Sequence, residues 1–366
     1  MSELRDGPVA FLGGGAVGSY VGGLLAASCV EVVIIDGWPE HVDAIRNQGL
    51  KVIAPEGDEL VRPEAWHLGE AERLRKLAPA AAFLAVKLYD TEWSARLLAN
   101  WLPAGVPVVT LQNALAEEIV ARIVGWGSTL GGIAGGLDVA LAGPGTVRRA
   151  RRRRASASPV FKIGEMHGRV TPRAERLAAL LDRVDRAVVT TDLWRERWEK
   201  LCANTMTTGL SGLTGLTLRE VYTRDDTRAI AIRLGAEALA VGAALGFEPP
   251  SLFGVPSGIW QAAAAGDAGA RVRAMEALRA QAATMTEGGR SGTLQDLLKK
   301  RPTEVEFFNG FIAREGDRIG LPVPAHAIMA AMIREAERGR RAIGLDALPE
   351  ILARCIALAT CPQAKR

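Results

Sequence analysis

A glycine-rich turn near the amino terminus has the spacing of a dinucleotide-binding site. Gly13, Gly15 and Gly18 form G-x-G-x-x-G between a short apolar run and a helical segment. The first glycine allows a tight bend, the second lets the backbone approach a pyrophosphate, and the third lets the helix pack closely on the strand. The start of that helix offers unpaired N–H groups and a positive dipole end to an anion. We therefore predict that Gly13, Gly15, Ala16, Val17 and Gly18 bind a dinucleotide cofactor.

An acidic residue ends the second predicted strand, roughly 20 residues beyond the turn, as this fingerprint requires. Asp36 is placed there to accept hydrogen bonds from the adenosine ribose, and its charge would repel a 2′-phosphate. The next residue is Gly37, where an arginine could have bound that phosphate. We expect NAD to be favoured over NADP, with Arg46 and a distant arginine run as groups that could still reach a phosphate.

Two further polar segments follow predicted strands. Lys87 follows the apolar run 81–86, and Gln112-Asn113 follows the run 106–111. Open α/β sheets bind their ligands at the carboxyl ends of the strands. Lys87 and Asn113 are therefore candidates for contact with cofactor or substrate.

Three polar residues share one side of a predicted helix. Lys200, Asn204 and Thr208 are spaced i, i+4 and i+8, so they drift only about 40° per step around the helix. A lysine there could donate a proton to a ketone oxygen while hydride reaches the carbon, and could stabilise the developing alkoxide. The amides of Asn204 and Asn113 suit a hydroxy or oxo acid.

Another polar cluster lies nearer the carboxyl terminus and includes Ser291 and Glu304. Thr303 and Glu306 have the T-x-x-E spacing of a capping box, which predicts the start of a helix. Glu304 would then lie in the first helical turn, where the dipole favours a carboxylate whatever its function.

The elements that must position these residues change character near residue 190. Short apolar runs at 8–12, 31–36, 81–86 and 106–111 alternate with helical segments, which predicts a parallel sheet covered on both faces. Beyond that point the pattern is helical, over 193–210, 226–246, 257–287, 304–319 and 325–338. The predicted fold class is α/β, with a Rossmann domain and mostly parallel sheet over 1–189 and an all-α substrate and dimerisation domain over 190–366.

Composition and charge exclude several classes of protein. The 366 residues are 48% hydrophobic and 23% charged, and the net charge is +4. Much of the basic excess lies in the run 148–154, which lacks interleaved aromatic residues and is expected to be a solvated loop or strand edge rather than a nucleic-acid site. The scattered cysteines and histidines predict neither a disulfide framework nor a metal site; they are Cys29, Cys202, Cys355, Cys361, His41, His67, His167 and His326.

No secretory signal is apparent, and no apolar span of about 20 residues suggests a membrane helix. We expect a cytoplasmic protein that binds neither membrane nor nucleic acid. Residues 289–293 do not match the G-x-S-x-G pattern of hydrolases, because Thr293 stands at the position of the last glycine. Cys202 is expected to be a packed apolar side chain rather than a nucleophile, and Trp194 and Trp198 are expected to pack at the domain junction rather than to form a stacking platform.

The ordered set of these motifs resembles the ketopantoate reductase (2-dehydropantoate 2-reductase) family, within the 6-phosphogluconate-dehydrogenase-like superfamily. The resemblance runs from about Val9 to about Glu337. Its parts are G-x-G-x-x-G, a lysine after the third conserved strand, Q-N, W-x-K-L-x-x-N, S-x-x-L-Q-D and R-x-T-E, read here at 13–18, 87, 112–113, 198–204, 291–296 and 301–304.

The resemblance implies an NAD(P)H-dependent reductase of a 2-oxo acid or related ketone, with Lys200 as general acid. It implies that Glu304 and Asn113 are catalytic residues that contact substrate and cofactor, that Lys87 lies at the cofactor, and that Asn204, Thr208 and Ser291 line the substrate site. A homodimer is expected, because helical second domains in this superfamily often mediate dimers.

The chain departs from the family pattern at four positions. Ala114 replaces the glycine of Q-N-G, Thr208 stands where asparagine is common, and Ser291-Gly292 replaces paired serines. The fourth change, Gly37 in place of an arginine used for the NADP phosphate, reinforces NAD. The first three leave the substrate open between ketopantoate and a related 2-oxo acid or ketone. Two alternative functions also stay open: a non-catalytic dinucleotide-sensing regulator, and an opine- or imine-forming dehydrogenase.

Overall fold

The computed structural model describes residues 7–155 and 158–357, without the side chains of 355–357. Cys361 and the side chain of Cys355 therefore lie outside the described part. The chain forms two compact units, Met1–Leu193 and Trp194–Arg366. The division falls a few residues after the position predicted from sequence.

The first unit contains an eight-stranded sheet in the order β12-β11-β8-β7-β6-β1-β2-β5. All neighbouring strands are parallel except β8 and β11, which are antiparallel. This confirms the predicted mostly parallel sheet. The strands are β1 (Val9–Leu12), β2 (Val32–Asp36), β5 (Glu64–His67), β6 (Ala81–Leu84), β7 (Val108–Thr110), β8 (Thr129–Ala134), β11 (Phe161–Glu165) and β12 (Ala187–Thr190).

Both faces of this sheet are buried, as its apolar strands require. Phe11 of β1 belongs to one buried cluster, where its ring stacks on Phe83 at 4.7 Å between centroids. Its neighbour Leu12 points to the other face and belongs to a second cluster. The helices of the unit are α1 (Ala16–Ala27), α2 (Pro39–Gln48), α3 (Leu74–Leu77), α4 (Thr91–Trp101), α5 (Glu117–Val124) and α6 (Pro172–Asp182).

A second, four-stranded sheet in the order β4-β3-β10-β9 was not predicted. Its strands are β3 (Leu50–Ile53), β4 (Glu59–Val61), β9 (Val139–Gly143) and β10 (Thr146–Arg149). β3 and β10 pair in parallel, with Lys51 opposite Thr146. These strands, of three to five residues each, are too short for their sequences to distinguish them from loops.

The arginine run begins in β10 and is exposed or half-exposed as predicted, except at Arg149. Arg149 is only 2% exposed. Its guanidinium donates to the Tyr20 hydroxyl and to Asp185, each at 2.6 Å. Arg154 pairs with Asp182 at the surface. Part of the run therefore joins β10 to α1 and to the end of α6, because a buried guanidinium needs a buried carboxylate.

The second unit is mostly helical, as predicted. Its elements are α7 (Leu193–Thr214), α8 (Leu218–Thr223), α9 (Asp225–Ala244), β13 (Ser251–Leu252), β14 (Val255–Pro256), α10 (Ser257–Ala264), α11 (Ala268–Ala283), α12 (Gly292–Leu298), α13 (Asn309–Ile319), α14 (Pro324–Glu337) and α15 (Ala347–Ala357).

Two helix predictions need correction. The pattern 257–287 is two helices, because Gly266 has φ +103° and Asp267 caps α11 by accepting from the Ala270 amide at 2.7 Å. The helix predicted from residue 304 begins only at Asn309, after a 3₁₀ turn over Val305–Phe307.

Among the helices of residues 7–155 and 158–357, none combines the length and the apolar character that crossing a membrane requires.

Candidate active site

The glycine turn between β1 and α1 is shaped by three different requirements. Gly13 has φ +104°, and a Cβ there would lie 2.7 Å from the Ala85 carbonyl carbon. A Cβ on Gly18 would overlap the Gly13 carbonyl oxygen. Gly15 differs: the nearest described atom to its Cβ position is the Ala85 oxygen, at 3.9 Å. Protein packing therefore requires Gly13 and Gly18, while Gly15 keeps open space over the turn.

That open space fits the pyrophosphate of a dinucleotide. Gly15 is the N-cap of α1 and has no side chain to satisfy the amides of the first turn. Gly15, Ala16 and Val17 are half-buried, whereas the flanking Gly14 and Gly18 are buried. An anion at this place would accept from those amides and meet the positive end of the helix dipole. These residues could hold the phosphates of a nicotinamide dinucleotide.

Asp36 lies at the end of β2, directly beside the turn. Its Oδ2 accepts from the Gly14 amide at 2.6 Å, and its Oδ1 accepts from the Trp38 amide at 2.8 Å. These two hydrogen bonds fix the orientation of the carboxylate. The Asp36 side chain is thus held between the glycine turn and the start of α2, where the sequence predicted a ribose contact.

The strand order places two predicted site residues beside the turn. β1 lies between β2 and β6, and β7 follows β6, so the carboxyl ends of these parallel strands share one edge. Lys87 comes three residues after β6, and Asn113 comes three residues after β7. Both are half-buried. This is the edge at which a change in strand order forms a ligand-binding crevice.

Gln112 fixes the two loops at this edge. Its Nε2 donates to the Val86 carbonyl at 3.0 Å and to the Thr91 hydroxyl at 2.7 Å. Gln112 therefore holds the loop that carries Asn113 against the segment that follows β6. The next residue, Ala114, has φ +52° and is buried, which is the left-handed conformation that a glycine adopts without strain.

In the second unit, Lys200, Asn204 and Thr208 lie along one side of α7. All three are half-buried, while the intervening Leu201 and Met206 are fully buried. The Thr208 hydroxyl donates to the Asn204 carbonyl at 2.9 Å. The helix is fixed by Trp198, whose indole donates to the Ala238 carbonyl of α9 at 3.0 Å. The predicted stripe therefore exists on a firmly packed helix.

Cys202 packs in the interior as expected, and the two tryptophans pack on one aromatic ring. Cys202 is fully buried, and burial raises the pKa of its thiol. Trp198 stacks on Phe247 at 4.7 Å between ring centroids, and Trp194 packs on the same ring. A buried thiol that stays protonated is a poor nucleophile.

Ser291 lies beside Thr208 and also caps a helix. Its hydroxyl oxygen accepts from the Leu294 amide at 3.0 Å, at the start of α12, and the hydroxyl donates to the Thr208 carbonyl at 3.2 Å. Ser291 is 2% exposed. Its position in the substrate site stays a prediction, while its hydrogen bonds join α12 to α7.

Glu304 is 8% exposed and precedes the 3₁₀ turn. The predicted capping box of Thr303 and Glu306 is wrong. Thr303 instead accepts from the Val305 amide and donates to Glu337, and Glu306 pairs with Arg334 at 2.6 Å. The attraction of a nearby guanidinium outweighs the local cap.

The structure brings the predicted residues together in two sets, one in each unit. The first contains the glycine turn, Asp36, Lys87 and Asn113; the second contains Lys200, Asn204, Thr208 and Ser291. Glu304 belongs to the second unit and precedes its 3₁₀ turn, and its place in the site stays a prediction. Sequence reasoning missed Ser19 and His41, which lie behind the glycine turn. Within the described residues, acidic, histidine and cysteine side chains form no group that could hold a metal ion.

Comparison with known proteins gives a consistent result over most of the chain. A family model described as "Ketopantoate reductase PanE/ApbA" matches residues 9–162, and "Ketopantoate reductase PanE/ApbA C terminal" matches 192–337. A 2-dehydropantoate 2-reductase of Archaeoglobus fulgidus is 29% identical over 343 residues, which cover 92% of this chain and 100% of the relative.

Solved structures agree. The crystal structure of a PanE/ApbA family ketopantoate reductase from Ralstonia eutropha JMP134 is 26% identical, with a TM-score of 0.74, and covers 91% of this chain and 99% of that one. A D-mandelate dehydrogenase solved with NADH and anilino(oxo)acetate has a TM-score of 0.75 at 20% identity, covers the same shares, and shares the fold. Together with the matched family models, these findings show that the chain belongs to the ketopantoate reductase family of oxidoreductases, which act on CH–OH/C=O groups.

Proposed function

We propose that the protein reduces a 2-oxo acid or a related ketone to the alcohol, with a nicotinamide dinucleotide as hydride source and Lys200 as proton donor. Membership of the ketopantoate reductase family supports the reaction class. The observation that carries the proposal is the half-exposed side of α7, where Lys200, Asn204 and Thr208 follow one another on a helix whose other side is buried.

The chemistry assigned to α7 follows from these side chains. A bound nicotinamide supplies the hydride. The Lys200 ammonium donates a proton to the carbonyl oxygen and stabilises the negative charge that develops there. The Asn204 amide can both donate to and accept from an oxo acid. The Thr208 hydroxyl donates its hydrogen to the Asn204 carbonyl, so its oxygen can only accept a hydrogen bond from the substrate.

Further contacts are proposed at Asn113 and Glu304, which would hold substrate or cofactor hydroxyls, and at Lys87, which would contact the cofactor. Ser291 would line the substrate site beside Thr208. We also propose a cytoplasmic homodimer. The departures at Ala114, Thr208 and Gly292 leave ketopantoate as one substrate among several 2-oxo acids.

We propose NAD rather than NADP as the preferred cofactor because of Asp36. Its carboxylate is fixed by two backbone amides at the position expected for the adenosine ribose. A 2′-phosphate would bring further negative charge against it, and Gly37 offers no cation. A strong preference for NADPH in equilibrium binding would contradict this assignment.

The test is a panel of 2-oxo acids and ketones with NADH and with NADPH, measured by loss of reduced-nicotinamide absorbance. Lys200→Ala should lower kcat about a hundredfold or more, since general acid catalysis contributes that much, and should leave the dinucleotide Kd unchanged. Lys299→Ala, an exposed lysine of the same unit, serves as the control. Full turnover by Lys200→Ala would refute Lys200 as the proton donor.

A further inference from the structure

A buried chain of hydrogen bonds lies behind the glycine turn. The Ser19 hydroxyl donates to the Gly14 carbonyl at 2.6 Å, and His41 Nε2 lies 3.0 Å from the Ser19 oxygen. On its other side, His41 Nδ1 accepts from the Gly145 amide at 3.0 Å. Ser19 and His41 are both 0% exposed. Three distant segments of the first unit thus meet at one imidazole.

The hydrogen bonds have a single consistent direction. Because the Gly145 amide can only donate, His41 Nδ1 must be unprotonated, and Nε2 then carries the proton. Nε2 donates to Ser19, whose own hydrogen goes to Gly14. Burial lowers the pKa of His41, and the charge of Asp36 opposes that shift only in part. The imidazole is therefore neutral, as this arrangement requires.

Gly14 is consequently held from both sides. Its amide donates to Asp36 Oδ2, and its carbonyl accepts from Ser19. The next residue, Gly15, is the N-cap whose Cβ position stays open. These two contacts fix the peptide groups on both sides of Gly14. Because a peptide group is planar, holding the Gly14 carbonyl also fixes the direction of the Gly15 N–H, and so the path of the backbone into the first amides of α1.

The other end of this series of hydrogen bonds, at Gly145, is also held in place. Gly145 has φ +62°, and a Cβ there would lie 2.9 Å from Ala44 Cβ. Its carbonyl accepts from the Lys51 amide at 2.8 Å. Trp38, which also donates to Asp36, stacks on the His41 ring at 5.5 Å between centroids. The four-stranded sheet therefore helps to fix the position of His41, and His41 in turn holds the glycine turn through Ser19.

We propose that Ser19 and His41 are positioning residues for the dinucleotide, fixing the Gly14 peptide so that the amides at the start of α1 are aimed at the pyrophosphate. The inference rests on the proposed function, since it presumes that a dinucleotide binds at this turn. It assigns the two residues no contact with cofactor or substrate. Removing either should therefore weaken binding without slowing the chemical step.

The experiment measures the Kd for NADH and NADPH by titration calorimetry, together with kcat at saturating cofactor. Ser19→Ala should raise the Kd of the better-bound dinucleotide about tenfold, the effect of losing roughly one buried hydrogen bond. The kcat at saturating cofactor should stay within about twofold. Hydrogen exchange of the backbone over 12–19 should accelerate in the free protein. His41→Leu, a second variant, should change the same quantities in the same direction.

Two matched controls separate positioning from general damage. Ser94→Ala removes another fully buried serine hydroxyl, on α4, which has no hydrogen-bond partner among the described residues. His326→Leu removes a fully buried histidine of the second unit. Both should keep the wild-type Kd.

Equal Kd values for Ser19→Ala and Ser94→Ala would overturn this inference alone. So would a fall in kcat with an unchanged Kd. Failure of the unaltered protein to bind either dinucleotide would overturn the proposed function, and this inference with it.

Discussion

The indole of Trp198 lies directly on Gly242, so that a Cβ at residue 242 would overlap the ring nitrogen. Trp198 is two residues before Lys200, and Gly242 lies in the last two turns of α9. We expect Gly242→Ala to lower the free energy of unfolding by about 3 kcal/mol, because overpacking of a rigid ring displaces two helices. Urea denaturation measures the loss.

The control for that variant is another helical glycine. A Cβ on Gly269, near the start of α11, would meet only Asp267 Oδ1 at 3.5 Å. Gly269→Ala should therefore leave stability unchanged or raise it by up to about 1 kcal/mol. Equal losses in the two variants would show that the contact with Trp198 is unimportant.

Ala114 occupies a backbone conformation better suited to glycine. Its φ is +52°, which costs a residue with a Cβ about 1–2 kcal/mol, whereas glycine loses about 0.4–1 kcal/mol more conformational entropy on folding. Removal of its buried methyl group costs about 0.8 kcal/mol more, so these effects nearly cancel and Ala114→Gly should leave the free energy of unfolding within about 1 kcal/mol of the wild type. Thermal denaturation measures the change.

Ala116, two residues further on, supplies the comparison. Its φ is −79°, and it is fully buried as the N-cap of α5. Ala116→Gly should destabilise by about 1 kcal/mol, because it adds backbone freedom and removes a buried methyl group. A stabilising effect at both positions would contradict the explanation by backbone conformation.

The pair formed by Arg149 and Asp185 is almost completely buried, with side-chain exposures of 1% and 0%. Asp185→Asn should lower the free energy of unfolding by about 3–5 kcal/mol, since it leaves a buried guanidinium without its carboxylate. Chemical denaturation measures this. Arg122→Ala, which breaks an exposed pair with Glu118, should cost about 0.5 kcal/mol or less. A comparably small loss for Asp185→Asn would mean that Arg149 is solvated after all.

His326 gives the second unit a stability that depends on pH. Its Nε2 lies 2.9 Å from the Leu234 carbonyl and its Nδ1 lies 3.2 Å from the Asn309 amide nitrogen, so the neutral ring satisfies both. Burial lowers the pKa of His326 to about 4, against 6.5 for the free group. The unfolded chain binds the proton first, and the stabilisation present above pH 6.5 should be lost as the pH falls towards 4.

The measurement compares the unfolding free energy of the wild-type protein with that of His326→Leu at several pH values, because the difference cancels other titrating groups. The advantage of the wild type should shrink by about 1.4 kcal/mol per pH unit between 6.5 and 4. A difference that stays constant over this range would show that the histidine does not titrate on unfolding.

Local sequence signals predicted the geometry of those parts of the candidate site that depend on neighbours in the chain. The glycine turn, the acid at the end of β2 and the i, i+4, i+8 stripe on α7 each follow from short-range spacing. Where long-range contacts decide, the sequence misled: Glu306 has the spacing of a capping residue but pairs with Arg334, and Arg149 belongs to a basic run but is buried with Asp185. The bonds of His41 to Ser19 and Gly145 leave no local pattern at all.

Helix boundaries show the same division. The start of α7 and the extent of α14 were predicted closely, since apolar periodicity and a proline mark them. The break between α10 and α11 depends on one glycine, Gly266, within a long periodic stretch, and glycine alone is a weak signal.

The parallel pairing of β3 with β10 affects how this unit must be assembled. Lys51 and Thr146 are partners, yet about 95 residues separate them along the chain. During synthesis, Leu50 and Val52 leave the ribosome well before the strand that completes their sheet, and the loop between them must close against its entropy. The first unit can therefore reach its final form only after Thr146–Arg149 has been made, and until then the edge of β3 presents unpaired backbone N–H and C=O groups to the other proteins of the cell.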